Sequence, residues 1–142
     1  MKEHLYCRSD AVFFDVSHMG QVRISGRDHA DFIERVTVLD YRSLPECKGS
    51  LSLILNERGG VIDDTVITRF NDHAYMVING ACKHRDLEHM RRVQHNDFAG
   101  KDVKIDYSED NALIALQGPK AFSVLETIIP SLNTKGTFWL KI

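Results

Sequence analysis

Asn56-Glu57-Arg58-Gly59-Gly60-Val61-Ile62-Asp63-Asp64 decides how this chain is read, because it carries two adjacent carboxylates out of a glycine turn into an apolar strand. On one side Leu51 to Leu55 alternates as a strand, and on the other Val61 to Phe70 is rich in β-branched residues. The segment therefore reads as a hairpin turned by Gly59-Gly60. Neighbouring strand residues point to opposite faces, so one of Asp63 and Asp64 is expected to face a core. An inward carboxylate is costly unless it is hydrogen-bonded, paired or put to use. The alternative role is plain turn chemistry, an aspartate accepting from local backbone N–H groups.

Working outward, Ala11 to Val16 and Gly20 to Ser25 read as strands, and Asp28 to Val36 as a short helix with Asp28 as its cap. A loop with Pro45 and Gly49 leads into the hairpin. Asn71-Asp72 turns the chain again, and Ala74 to Asn79 completes a three-stranded meander. Lys83 to Gln94 sets Leu87, Met90 and Val93 at threefold spacing and Glu88 four residues before Arg92, which predicts a helix with a narrow apolar stripe and one ion pair. Val103 to Tyr107 and Ala112 to Leu116 are further strands. Gly118-Pro119 opens a last helix with Phe122, Leu125, Ile128 and Ile129 inward, ended by Pro130. Helices between strands of mixed direction make the class α+β.

The chain has 142 residues, 43% hydrophobic and 27% charged, the size and composition of one globular domain or part of one. A formal charge of −2 gives no whole-chain electrostatic reason to expect nucleic acid or an anionic membrane as partner. No apolar run approaches the roughly 18 to 20 residues that cross a bilayer. The opening Met1 to Arg8 is neither a secretory signal nor an Arg-rich transit peptide. Cys7, Cys47 and Cys82 are odd in number and lack C-x-x-C spacing, against a disulfide framework or closed zinc site. Phosphate-loop, dinucleotide, zincin and nucleophile-elbow motifs are absent, and the histidines have no ligand spacing within one element. Ser17-His18 is no evidence for a triad, since adjacent residues on an extended chain project apart.

Four strings carry a stronger signal together: Phe14-Asp15-Val16-Ser17-His18-Met19, Leu55 to Asp64, Val77-Ile78-Asn79 and Ala115-Leu116-Gln117-Gly118-Pro119. In order and separation they resemble the aminomethyltransferase, or T-protein, family of the glycine cleavage system. The resemblance runs from Phe14 to about Glu126, most of the chain. It implies a folate-binding domain of the aminomethyltransferase type, a mixed sheet with flanking helices, over residues 1–142. The activity implied is glycine catabolism and one-carbon metabolism. The one-carbon unit of the aminomethyl group on the lipoyl arm of H-protein passes to tetrahydrofolate as co-substrate, with release of ammonia. Lipoylated H-protein and folate are then the partners, with no metal, nucleic acid or membrane.

Carried across, the family's catalytic aspartate falls on Asp64. A fixed carboxylate there stabilises the iminium-like charge that develops as the carbon–sulfur bond breaks, and orients or deprotonates the folate amine. Asp64 is accordingly expected to be the inward carboxylate, and an Asp64 on the solvent face with Asp63 pointing into a cleft would reverse the assignment. The folate-lining positions map to Met19 and Leu51, packed on the pterin, and to Val77, Ile78 and Asn79, whose main-chain and amide groups read its polar edge. By spacing alone Met19 and Leu51 are ordinary core residues.

Members of that family are much longer, so the resemblance implies a partial domain that carries the catalytic-Asp half of a site and stops at Thr137-Phe138-Trp139-Leu140-Lys141-Ile142. Alone, such a half is expected to bind tetrahydrofolate weakly and not to sustain transfer. Three other readings stay open. One is a folate-binding relative that supports iron–sulfur enzymes. Another is a folate domain of the kind fused to dimethylglycine or sarcosine dehydrogenases. The last is a non-catalytic protein that binds folate or docks a carrier. The resemblance places the protein in the mitochondrial matrix of a eukaryote, or the cytoplasm of a bacterium, and Gly80-Ala81-Cys82 with Lys83 to Met90 is closer to the mitochondrial forms.

Overall fold

The central hairpin turns on Asn56. Its side-chain Oδ1 accepts from the N–H groups of Arg58 and Gly60, both at 2.9 Å, while its own N–H donates to the Gly60 carbonyl. Gly59 takes φ +76°, which an L side chain rarely adopts, and a Cβ on Gly60 would lie 2.7 Å from the Asn56 amide nitrogen. The glycine pair is thus required for two different reasons, one conformational and one steric.

The computed structural model describes residues 2–131. Their elements run α1 (Lys2–Ser9), β1 (Val12–Asp15), β2 (Gly20–Ser25), α2 (His29–Val36), β3 (Gly49–Leu55), β4 (Val61–Arg69), β5 (His73–Ile78), α3 (Lys83–Asp97), β6 (Lys104–Ser108), β7 (Ile114–Gln117) and α4 (Ala121–Ile128). They group into two compact units. The first joins the chain's beginning, up to His18, to the segment from Ala112 onward, and the second spans Met19 to Asn111. The closing string from Thr137 to Ile142 lies outside the described residues.

The second unit is a five-stranded sheet in the order β3-β4-β5-β2-β6, and it contains the expected β3-β4-β5 meander. Its inner face is Val22, Ile24, Ile54, Ile67, Met76 and Ile78, all fully buried together with Phe32, Ile33 and Val36 of α2 and Met90 of α3. Each element supplies its apolar residues at the period its geometry dictates, two on strands and three to four on helices. In the first unit β1 and β7 pair alone, from Val12↔Gln117 to Asp15↔Ile114. Gly118, at φ +116°, lets the chain pass against the Asp10 carbonyl, and Lys120 Nζ donates to the Asp10 carboxylate at 2.6 Å.

The α+β class is as expected, with several local corrections. Every strand pairing is antiparallel, so the mixed strand direction does not occur: β2 pairs antiparallel with both β5 and β6. Helix α1 was not foreseen, and it buries none of its side chains. Asp28 stands at the start of α2 but makes no capping bond, because its carboxylate accepts from the Asp102 N–H at 2.8 Å. Arg92 reaches Glu57 at 3.6 Å rather than Glu88. Ile128 and Ile129 are exposed, not inward, since the small first unit leaves α4 only a partial surface to cover.

Candidate functional site

The two carboxylates leave β4 on opposite faces, and the expected assignment of faces is reversed. A bulge sets them. Leu55 pairs with Val61 and Ile54 with Asp63, leaving Ile62 as the extra residue. The Ile62 carbonyl accepts from Arg85 Nη2 at 2.7 Å. Beyond the bulge Asp63 shares the inner face with buried Thr65 and Ile67, while Asp64 stands exposed on the outer face. Asp64 is therefore not the inward carboxylate.

Asp63 is held from several sides. Its Oδ1 accepts from Asn79 Nδ2 and from the Asp64 N–H, both at 3.0 Å. Burial opposes its charge, but hydrogen bonds from Asn79, from the Asp86 carboxyl and from the Cys82 thiol outweigh that, keeping it below its ordinary value. The same contact pushes the Cys82 thiol up. Asp63 Oδ2 is sealed from solvent. With Oδ2 sealed and Oδ1 accepting from Asn79 and the Asp64 N–H, this half-buried carboxylate is held by structural partners.

Asp64 has the opposite surroundings. Its Oδ1 accepts from Asn79 Nδ2 at 2.8 Å, and its main-chain oxygen lies 3.3 Å from the same amide. Across the ladder it is opposite Leu53, and the next row on that outer face is Leu51–Val66–Val77. Leu51 is 54% exposed, so the row ends in an open apolar surface beside a carboxylate. Farther along the same sheet Gln21, 6% exposed, accepts from Tyr75 Oη at 2.6 Å and donates to the Asn111 carbonyl at 2.7 Å. They line a cavity of about 280 Å³ with Arg23, Asp106, Tyr107 and Ser108.

The structure thus brings Leu51, Asp64, Val77 and Asn79 to one face. Met19 is half-buried at the residue before Gly20, which pairs with Ile78. The Ile78 side chain is fully buried on the other face, so at most its main chain could meet a ligand. Sequence reasoning missed Leu53 and Val66 on the outer face beside Asp64 and Asp86 beneath it. Ser17 closes a turn instead of serving a triad, its Oγ donating to Asp15 Oδ1 at 2.6 Å. Among the described residues the cysteines are free and no group of three or more His, Cys, Asp or Glu side chains could hold a metal ion. No helix there is long and apolar enough to cross a membrane.

Residues 1–140 match the model of the GCVT N-terminal domain family. The chain belongs to this family. It is 42% identical to the mitochondrial aminomethyltransferase of Dictyostelium discoideum over 91% of its own length and 33% of that protein's. It is also 42% identical to the mitochondrial aminomethyltransferase of Saccharomyces cerevisiae, over 98% and 36% of the two lengths. Its fold matches the crystal structure of glycine cleavage system aminomethyltransferase T from Bartonella henselae, with a TM-score of 0.84 and 28% identity over 99% of this chain and 37% of that one. The chain therefore spans about a third of the length of the relatives it matches.

Proposed function

We propose that this chain is the part of a tetrahydrofolate-dependent aminomethyltransferase of the glycine cleavage system that carries the working carboxylate. The observation that bears most weight is Asp64 itself. It is exposed beside Leu51, Leu53, Val66 and Val77, and Asn79 fixes its carboxylate at 2.8 Å. An apolar surface next to an oriented anion suits a flat heterocycle whose amine gains positive character during the reaction.

In this reading Leu51 and Met19 pack on the pterin, and Val77, the Ile78 main chain and Asn79 border its polar edge. Asp64 orients the folate amine and stabilises the cationic one-carbon unit as it leaves the sulfur of the lipoyl arm. Lipoylated H-protein delivers that unit, ammonia leaves, and the product is 5,10-methylenetetrahydrofolate. The carboxylate role stays with Asp64, although Asp63 is the inward one, because Asp64 is the exposed carboxylate of the two. Residues 1–142 then form part of a folate-binding domain. The mitochondrial names of the similar proteins support a place in the mitochondrial matrix.

The test uses protein expressed from the whole reading frame that contains these residues. Ammonia release from aminomethyl-loaded H-protein should depend on added tetrahydrofolate. Folate binding without any such release would replace this reading with a non-catalytic folate-binding role.

A further inference from the structure

Beneath the Asp63–Asn79–Asp64 cluster lies a carboxyl group that this reaction does not use. Asp86, in the first turn of α3, is fully buried, and neither of its oxygens accepts a hydrogen bond. Asp63 Oδ2 is buried beside it and equally without a partner, and the two carboxyls lie within hydrogen-bond reach. Two such groups cannot both be ionised in that setting, so they share one proton, which links Asp63 Oδ2 to one of the two Asp86 oxygens.

The neighbours decide which group carries it. Asp63 already accepts from Asn79, from the Asp64 N–H and from the Cys82 thiol, all of which favour its charged form. Asp86 is poorly compensated. The charged groups facing it are Asp63 from β4 and Arg85 from its own helix. Arg85 Nε stands 3.7 Å away, and its Nη2 is committed to the Ile62 carbonyl. Burial, then the hydrogen bond and charge of Asp63, push Asp86 up to about 7.

We propose that Asp86 is a positioning residue: a neutral carboxylic acid that donates to Asp63 and so fixes, through Asn79, the carboxylate of Asp64. The chain of contacts is short. Asp86 holds Asp63, the Asp63 and Asp64 carboxylates share the Asn79 amide, and Asp64 alone reaches the outer face. This role rests on the reading of Asp64 as the working carboxylate, whereas the protonated pair beneath it stands independently of that reading.

The test has two arms, both on protein from the whole reading frame. In the first, carbon NMR follows the aspartate carboxyls of the unsubstituted protein through a pH titration, with the Asp86 signal assigned by through-bond correlation to its own backbone resonances. Asp86 should titrate near 7. Titration in the ordinary aspartate range, about 4, would overturn the proposal even if no variant folds. In the second, Asp86→Asn keeps an N–H donor for Asp63 and should retain kcat, whereas Asp86→Leu should lower kcat about tenfold to a hundredfold with KM little changed. The Leu substitution should cost little further on an Asp64→Asn background. Asn failing as badly as Leu, or Leu costing as much without Asp64 as with it, would refute the positioning role. If Asp64→Asn alone leaves turnover intact, the functional reading fails while the NMR result can stand.

Discussion

The Met19–Asn111 unit and the unit holding β1, β7, α1 and α4 differ in what their strands bury. In the former, five strands close one face against α2 and α3, and Val22, Ile24, Phe32, Ile67, Met76 and Ile78 lose all contact with solvent. In the latter, Phe13 stays 71% exposed, Ile114 60% and Ile128 68%, and the only buried apolar side chain among the described residues is that of Ala121. A sheet needs a layer on its apolar face before its side chains contribute fully. The lesson for function is that the larger unit has its own core on one face of the sheet, and Asp64 lies on the opposite face.

The largest difference expected between the units is in core truncation. Met76→Ala should lower unfolding free energy by about 2–5 kcal/mol, because a fully buried side chain leaves a cavity. Ile128→Ala should stay within about 0.5 kcal/mol. Urea unfolding monitored by circular dichroism measures both, and similar losses would erase the distinction. Next in size, Asn79→Ala should cost about 1–3 kcal/mol in the same assay, since it leaves the half-buried Asp63 carboxylate short of a donor. A neutral result would mean that the Asn79 amide does not hold the two carboxylates. A smaller effect belongs to the hairpin, where Gly59→Ala should cost about 1 kcal/mol for its positive φ although nothing crowds the position.

The pH dependence of stability sharpens the same contrast. The folded pKa of Asp86 is raised to about 7, so its proton-linked stability is complete below the ordinary carboxylate range and is lost as pH rises toward that value. His89 works in the opposite sense. Burial and the charge of Arg92 lower its pKa, so its contribution is lost as pH falls through that lowered value. Subtracting the melting curve of Asp86→Asn from that of the natural protein cancels the His89 slope. The difference should fall with rising pH up to about 7 and then level off, and a flat difference would mean that Asp86 is already ionised.

Much of the larger unit was legible because its signals are local. The alternation of Leu51 to Leu55, the Asn56 to Gly60 turn and the spacing of Leu87, Met90 and Val93 each act within a few residues. The faces of Asp63 and Asp64 were not legible. Val61 and Ile67 share one parity, Ile62 and Val66 the other, so apolar content does not choose between them, and the bulge at Ile62 shifts the register besides. The insertion of β2 between β5 and β6 depends on long-range pairing that no short pattern encodes. Asp86 did leave a signal, lying four residues before Met90 and seven before Val93, on the stripe that α3 buries. In α4 the spacing of Ile128 and Ile129 spoke for burial, but the described surroundings do not cover them.

The central claim is that Asp64 works on the ligand while Asp63 holds the structure. The direct measurement is tetrahydrofolate-dependent ammonia release from aminomethyl-loaded H-protein, with urea unfolding in parallel, for Asp64→Asn and Asp63→Asn in the protein from the whole reading frame. Asp64→Asn should keep its stability and folate affinity yet lose turnover by about a hundredfold or more, because the carboxylate acts mainly on the developing cation. Asp63→Asn should lose stability, because the amide now meets the buried Asp86 carboxyl in place of the charge that site was built around. An Asp64→Asn protein with near-normal turnover, alongside a stable but inactive Asp63→Asn protein, would contradict the account.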